Sequence, residues 1–343
     1  MARLNDTIVN GDLATTGNIS STGLISSAVV HANKFESDKG RFDHQVWYNT
    51  MRDTVSVWGD NGGAIVVIPE GTTITKNNMI SDNTKVKVIA IPNGVTEINS
   101  HFGSYCTELT SIVVPDSVQV LGDWAFANCP KLENIQIGDN ITSISSSTFY
   151  DNASLPTKGC LRYVGEYLLG YASGMELDNT LSIPDGTIGI ADSAFSGRTS
   201  LTSVTLPSSI KFIGAKAFYN TGITSIVFPY GIREIQASTC DWCKYLQSVT
   251  IPDSVTTIKG SAFYYCSSLT SVVIGRGVKM IGAQAFQNVS CAITIKASIP
   301  PTLAEDQKVF NSAKKLYVPK SSVELYKATW TTFADKIEAD PVS

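Results

Sequence analysis

A repeat with a fixed period constrains this chain more than any other feature of its sequence. An apolar residue followed by Pro or Gly recurs at residues 91, 114, 137, 183, 206, 228, 251 and 274. The steps are 22 or 23 residues, apart from one step of 46 residues, which is twice 23. Such self-similarity predicts a stack of one structural unit instead of a conventional globular core.

The apolar residues of each unit keep a common register. With the apolar residue before Pro or Gly as position 1, others recur at positions 5, 8, 13, 19 and 22, and position 13 is Phe in most units. One unit cannot bury these side chains alone, whereas stacked units align them into continuous ladders. The pattern predicts a mainly β repeat solenoid of 23-residue units, with one short helical turn per coil at the Ala-Phe stretch.

This register resembles that of the BspA-like leucine-rich-repeat family, whose pattern is I-P-x-x-V-x-x-I-x-x-x-A-F-x-x-C-x-x-L-x-x-V. The resemblance covers about 68–340, including a variant unit at about 157–180. The tail from Ile299 to Trp330 is similar to the family's C-terminal helical cap. The resemblance implies adhesion and interaction, usually on bacterial or protozoan surfaces. Members of that kind normally carry a secretion signal, and we expect none here because Met1–Thr7 lacks a cationic start before an apolar run.

The first residues follow a different rule. Gly recurs every six residues from Gly11, and each Gly is followed two residues later by one apolar residue, namely Leu13, Ile19 and Ile25. One apolar side chain per hexad is too little to order a single chain, so we predict an extended fibrous β module formed by three chains. The alternative is a disordered tail. The hexads resemble the N-terminal shafts of bacteriophage tail or head fibres.

Four parts are predicted along the chain. They are a fibrous shaft with virion attachment at 1–32, a small β-rich adaptor at 33–62, the leucine-rich-repeat solenoid at 63–298 and a C-terminal cap at 299–343. The leading hypothesis is a homotrimeric virion fibre, made in the host cytoplasm. Its N-terminus would bind a capsid or tail protein, and its solenoid a host-surface glycan or protein. The alternatives are a bacterial surface adhesin and, more remotely, a polysaccharide depolymerase.

Composition and motifs argue against several other functions. The net charge is −4 and only 16% of residues are charged, so we expect no nucleic-acid binding. No apolar run is long enough for membrane insertion. The Asp residues after Pro or Gly suit turns better than a glycosidase carboxylate pair, and three scattered His residues do not form a zinc motif. We predict no enzyme activity, cofactor, catalytic residue or metal ligand.

Two further columns bear on function. Cys106, Cys129, Cys243 and Cys266 share position 16, and Cys240 forms a C-x-x-C pattern with Cys243, for which we predict buried thiols over disulfides or zinc. Aromatic residues recur at position 14 and beside it. If the edge of the coils that carries these positions is exposed, the aromatic residues form a candidate ligand-binding row. Otherwise they pack beside the Phe ladder and only fill space between coils. The row consists of Tyr150, Tyr219, Trp242 and Tyr264.

Overall fold

The fold is described here from a computed structural model, whose contacts divide the chain into two compact units, Met1–Pro156 and Thr157–Ser343. The predicted shaft, with Leu13, Ile19 and Ile25, lies outside the described residues, as does most of the predicted adaptor. The fibrous module and the trimer therefore stay predictions. The described residues are 46–48, 54–58, 64–68, 71–172, 179–304 and 308–342.

The first unit contains two sheets. Its described strands are β1 (Val46–Tyr48), β2 (Thr54–Trp58), β3 (Ala64–Val67), β4 (Val86–Ala90), β5 (Glu97–Ile98), β6 (Ser111–Val114), β7 (Val120–Leu121), β8 (Asn134–Ile137) and β9 (Ser143–Ile144). One sheet has the order β1-β2-β3-β4-β6-β8, and the other has the order β5-β7-β9. The pairs are antiparallel up to β3 and parallel from β3 onward. Parallel pairing in register is what a stack of equivalent coils requires.

The second unit begins with a hairpin and continues as parallel coils. Its described strands are β10 (Thr157–Lys158), β11 (Leu161–Val164), β12 (Tyr167–Tyr171), β13 (Thr180–Ser182), β14 (Gly189–Ile190), β15 (Ser203–Thr205), β16 (Phe212–Ile213), β17 (Ser225–Val227), β18 (Glu234–Ile235), β19 (Ser248–Ile251), β20 (Thr257–Ile258), β21 (Ser271–Ile274), β22 (Met280–Ile281), β23 (Ala292–Ile295), β24 (Thr302–Leu303), β25 (Lys315–Val318) and β26 (Ile337–Ala339). The longest parallel sheet has the order β17-β19-β21-β23-β25-β26. The antiparallel strands β10, β11 and β12 form the predicted variant unit, and β12 joins the coils by pairing in parallel with β14.

The core of each unit consists of ladders, as the sequence predicts. The position-13 rings are fully buried, and where adjacent coils both have Phe the rings stack, as Phe126 does on Phe149 and Phe263 on Phe286, with centroids 5.5 and 5.3 Å apart. The residues at position 8 are buried in the same way, as are those at position 22 except Ile135, which is partly exposed. Burial of each such side chain contributes about 1.5–3 kcal/mol, which explains why the register is kept.

The predicted helical turn at the Ala-Phe stretch is wrong. Hydrogen-bonded turns, not helices, occupy this stretch in the repeats that the structure describes. The amide of Phe126 donates to the carbonyl of Thr148 in the next coil, and the amide of Asn128 donates to Tyr150. Trp124 and Asn128 have left-handed backbone conformations, which end any right-handed helical turn. Backbone hydrogen bonds between coils therefore replace the hydrogen bonds that a helix would form within this stretch.

The predicted helical cap closes the last coil of the second unit. The helix α1 (Val323–Thr329) lies between the 3-10 helices Lys320–Ser322 and Thr331–Lys336. The buried hydroxyl of Tyr326 donates to the carbonyl of Ala297 at 2.8 Å, and Nε1 of Trp330 donates to Pro301 at 3.0 Å. The ring of Trp330 also packs on Phe310, with centroids 5.5 Å apart. The Phe ladder is thereby covered instead of ending in solvent.

Candidate functional site

Two positions have left-handed backbone in most coils, and several surface aromatic residues occupy them. Among the described residues, every non-glycine residue with positive φ falls at position 11 or 15 of a unit. Asn and Asp tolerate this conformation, whereas a bulky side chain there is a conformational outlier. The aromatic residues with such conformations are His101, Tyr105, Trp124, Trp242 and Tyr265. Strained positions filled by bulky side chains point to a role other than folding.

In the second unit, four residues form what we call the 242–265 cluster: Trp242, Lys244, Tyr264 and Tyr265. The rings of Trp242 and Tyr265 belong to adjacent coils and stack at 4.9 Å with an interplanar angle of 14°. Tyr264 tilts against Tyr265 at 5.4 Å, and Nζ of Lys244 lies 4.6 Å from the centre of the Trp242 ring. Tyr265 is 37% exposed, so the cluster is open to solvent.

Polar side chains flank this cluster along the coil direction. Asn220 and Asn288 occupy position 15 in the coils on either side of Trp242 and Tyr265, and both have positive φ. Both are partly exposed, and their amide side chains form no hydrogen bond with another described residue. Position 15 is therefore Asn, Trp, Tyr and Asn in four successive coils. The two amides offer hydrogen bonds on both sides of the aromatic pair.

A buried carboxyl group lies beside the same cluster. Asp241 is only 9% exposed, and its Oδ1 has no hydrogen-bond partner among the described residues. Burial raises the pKa of Asp241 to about 6, although a hydrogen bond from Ser238, the charge of Lys216 and the amide of Trp242 each oppose this rise. The carboxyl group therefore lies inside the turn, where the positive charge of Lys216 acts on it.

In the first unit, three aromatic residues form what we call the 101–150 row: His101, Trp124 and Tyr150. The rings of His101 and Trp124 are nearly parallel, at 7°, with centroids 6.1 Å apart. Trp124 contacts Tyr150 at 4.7 Å and 48°. Tyr150 is 49% exposed, and two exposed carboxylates are close in sequence: Asp151 follows Tyr150 and Asp123 precedes Trp124. The row thus combines open rings with negative charge.

The repeats that carry both aromatic sites match a known family. The sequence model described as "BspA type Leucine rich repeat region" matches in six copies, over residues 65–167 and 171–294. The chain belongs to the BspA-type leucine-rich-repeat family. No protein of the curated collection matches the sequence significantly.

Solved structures with similar repeats come from several bacteria. A leucine rich cell surface protein from Faecalibacterium prausnitzii is 23% identical, with 72% of this chain and 81% of that chain covered and a TM-score of 0.40. A leucine-rich repeat protein from Bacteroides ovatus is 21% identical, with 80% and 83% covered and a TM-score of 0.29. One from Eubacterium ventriosum is 15% identical, with 76% and 92% covered and a TM-score of 0.37.

The aromatic residues predicted as ligand contacts fall into separate groups on the BspA-type repeats. Tyr150 belongs to the 101–150 row, and Trp242 and Tyr264 belong to the 242–265 cluster. Tyr219 is partly exposed and makes no ring contact with the described residues. Sequence reasoning missed the stacking partners, which are His101, Trp124, Tyr265 and Lys244. Their shared positions, 11 and 15, were the available signal, because Asn, Asp and Ser otherwise dominate there.

The cysteines are structural, as the sequence predicts. All seven are free thiols, and those at position 16 are buried. The thiol of Cys129 donates to the carbonyl of Gly103 at 3.3 Å, and Cys266 donates to Cys240 at 3.0 Å. In the same register the amide of Asn152 donates to Phe126 at 2.8 Å. Position 16 therefore satisfies a carbonyl of the preceding coil where it is Cys or Asn. Burial raises the pKa of Cys106 to about 12 and that of Cys129 to about 11, which leaves these thiols unreactive at neutral pH.

Asp253, one of the recurrent Asp residues, bonds to the next coil and not to its own turn. Oδ1 of Asp253 accepts the amide hydrogen of Arg276 at 2.8 Å, and Oδ2 pairs with Nε of Arg276 at 3.2 Å. Within the described ranges, no group of three or more His, Cys, Asp or Glu residues is arranged to hold a metal ion. Within the same ranges, no helix is long and apolar enough to cross a bilayer.

Proposed function

We propose that this protein is a non-enzymatic bacteriophage virion fibre whose leucine-rich-repeat solenoid binds a glycan or protein of the host cell surface. The observation that carries the recognition role is the placement of partly exposed aromatic rings at left-handed turn positions in both units. Asn fits these positions with less strain, as Asn220 and Asn288 show. The rings contact each other between adjacent coils, and rigid, partly exposed aromatic side chains are the usual anchors of binding surfaces.

The fibre role rests on the N-terminal sequence. The Gly hexads with Leu13, Ile19 and Ile25 offer one apolar residue per layer, which suits three chains around an axis. In this proposal the N-terminus attaches to a capsid or tail protein of the virion, and the solenoids are displayed. The chain would be made in the host cytoplasm and reside in the virion.

The recognition role is tested by replacing ring residues with the residue that the same register already accepts. The variants Trp242→Asn with Tyr265→Asn, and separately Trp124→Asn, should keep the fold. At least one should weaken binding of the labelled protein to host cells by about tenfold or more, the usual loss for an aromatic anchor. Tyr230→Asn is the control, because Tyr230 is 71% exposed and lies outside both aromatic sites. Unchanged cell binding both in the double variant and in Trp124→Asn would refute the recognition role.

The fibre role is tested by solution mass and by virion composition. Light scattering of the full chain should give a trimer, and replacing Leu13, Ile19 and Ile25 together by Ser should give a monomer. Leu24→Ser is the control, since Leu24 lies in the same segment but outside the six-residue column. Mass spectrometry of purified virions should detect the protein, and virions without it would remove this role.

A bacterial surface adhesin or interaction protein is the second candidate. It is supported by the family itself, because the BspA-type match extends over residues 65–167 and 171–294. Detection of the chain on the surface of uninfected bacteria, together with its absence from virions, would favour this candidate. Cell binding through the aromatic residues is expected in both cases, so the virion measurement separates the two.

A further inference from the structure

We infer that the 242–265 cluster binds the carboxylate-bearing sugar units of an acidic surface polysaccharide. This inference rests on the proposed function, because it names the ligand class of one of the two aromatic sites. It concerns the second unit only, where an aromatic pair, two flanking amides and a basic side chain occupy adjacent coils.

The ring arrangement favours an anionic ligand. Trp242 and Tyr265 stack at 4.9 Å and 14°, so the stacked faces cover each other and ring edges form part of the exposed surface. The edge of an aromatic ring carries the positive part of its quadrupole. Nζ of Lys244, 4.6 Å from the centre of the Trp242 ring, adds a full positive charge at the same place.

The charges around the cluster also favour an anionic ligand. Lys244 is exposed and forms no ion pair with a described residue. The carboxyl group of Asp241 is buried beside the cluster, and the charge of Lys216 acts on it. In the 101–150 row, by contrast, Asp123 and Asp151 are exposed. Of the two aromatic sites, only the 242–265 cluster therefore complements an acidic ligand.

The amides account for the choice of a sugar over other anions. Asn220 and Asn288 continue the column of Trp242 and Tyr265 in the coils on either side, so hydrogen-bond donors and acceptors flank the rings. Sugar hydroxyls require both donors and acceptors, and a sugar carboxylate requires a cation. A polymer also suits the site, because successive sugar units follow a surface that repeats from coil to coil.

The experiment compares acidic polysaccharides with neutral forms of the same polymers. Full-length protein is titrated by calorimetry or interferometry with polygalacturonate, alginate and hyaluronate, and with their methyl esters. At least one acid form should bind about tenfold or more tightly than its ester, with affinity falling as salt rises.

Variants locate the binding to the cluster. Trp242→Asn should weaken binding to the acid form by about tenfold or more, as for a truncated anchor residue. Lys244→Gln should weaken it about threefold to fivefold and reduce the salt dependence. Lys279→Gln is the control for charge alone, because Lys279 is exposed at position 6 of its coil, away from the cluster, and its loss should leave binding unchanged.

Each failure has a distinct meaning. Binding to none of the acid polymers, equal binding to acid and ester, or unchanged binding in Lys244→Gln would overturn the inference. If the Asn variants still weakened binding to cells, the proposed function would stand with a neutral glycan or a protein as its ligand. If binding to cells were unchanged in every aromatic variant, the proposed function itself would fail.

Discussion

Asp241 makes the stability of the second unit depend on pH in an unusual direction. Its carboxyl group is 9% exposed, and one oxygen has no partner among the described residues. Burial raises the pKa of this group from 3.8 to about 6 in the folded chain. Replacing Asp241 by Asn removes the ionisation and keeps the size of the side chain.

The magnitude follows from proton linkage. Between about pH 4 and pH 6 the folded chain binds this proton more strongly than the unfolded chain, so the free energy of unfolding falls as pH rises. One pKa unit corresponds to about 1.4 kcal/mol, so a rise from 3.8 to about 6 makes this loss at most about 3 kcal/mol above pH 6. The Asp241→Asn variant should not show this loss of unfolding free energy, because its side chain does not ionise.

The assay is urea unfolding of both proteins at constant ionic strength, from about pH 4 to about pH 7.5. The stability of Asp241→Asn relative to the unmodified chain should increase by about 2–3 kcal/mol over this range. Any constant effect of the new amide cancels in this difference. Asp151→Asn, at an exposed carboxylate, corrects for the general loss of one negative charge.

Two results would refute the reasoning. A difference between the variant and the unmodified chain that does not change with pH would mean that Asp241 ionises as readily folded as unfolded. A difference that decreases as pH rises would mean that the ionised carboxylate is stabilised, for example by Lys216. Hydrogen exchange of the amides around residues 238–244 would then show greater protection at high pH.

Three further changes test the packing, and each is measured by denaturant unfolding. Phe263→Ala removes a ring that stacks on Phe286 at 5.3 Å and should destabilise the second unit by about 3–5 kcal/mol; a loss below about 1 kcal/mol would contradict a continuous ladder. Gly277→Ala places a Cβ 2.0 Å from the carbonyl oxygen of Asp253 and should cost about 1–3 kcal/mol, whereas an unchanged stability would mean that the coils are not packed this closely. Tyr326→Phe leaves the carbonyl of Ala297 without its donor and should cost about 1–2 kcal/mol, and no loss would indicate that the cap hydrogen bond is not formed.

The periodic sequence determined most of the fold. Ile, Leu and Phe recur at fixed positions, and only a stack of coils buries all of them, so the register and the Phe ladder could be predicted. The cap was indicated by the resemblance of the tail to the family's cap. The buried role of the position-16 cysteines could be predicted for the same reason. Their hydrogen bonds to carbonyls of the neighbouring coil could not, because the partner of a buried thiol depends on atoms one coil away.

The turn at the Ala-Phe stretch was decided by tertiary structure. A short segment with Ala and Phe has no strong local preference, and helix formation is unfavourable at this length. The amide of Phe126 is instead satisfied by Thr148 in the next coil, at the expense of left-handed conformations at Trp124 and Asn128. The sequence alone does not reveal that backbone strain in one coil is offset by hydrogen bonds to the next coil.

The candidate site, too, was predicted in part from the sequence and decided in part by the tertiary structure. The sequence alone determined that aromatic residues recur near one edge of the coils, because position 14 could be aligned between units. Which rings meet depended on the left-handed turns, since these turns set the direction in which each side chain leaves the backbone. They bring Trp242 onto Tyr265 and Trp124 onto Tyr150, and they leave Tyr219 apart from any other described ring. Periodicity fixes which residues share a column, and only backbone geometry decides which of their side chains touch.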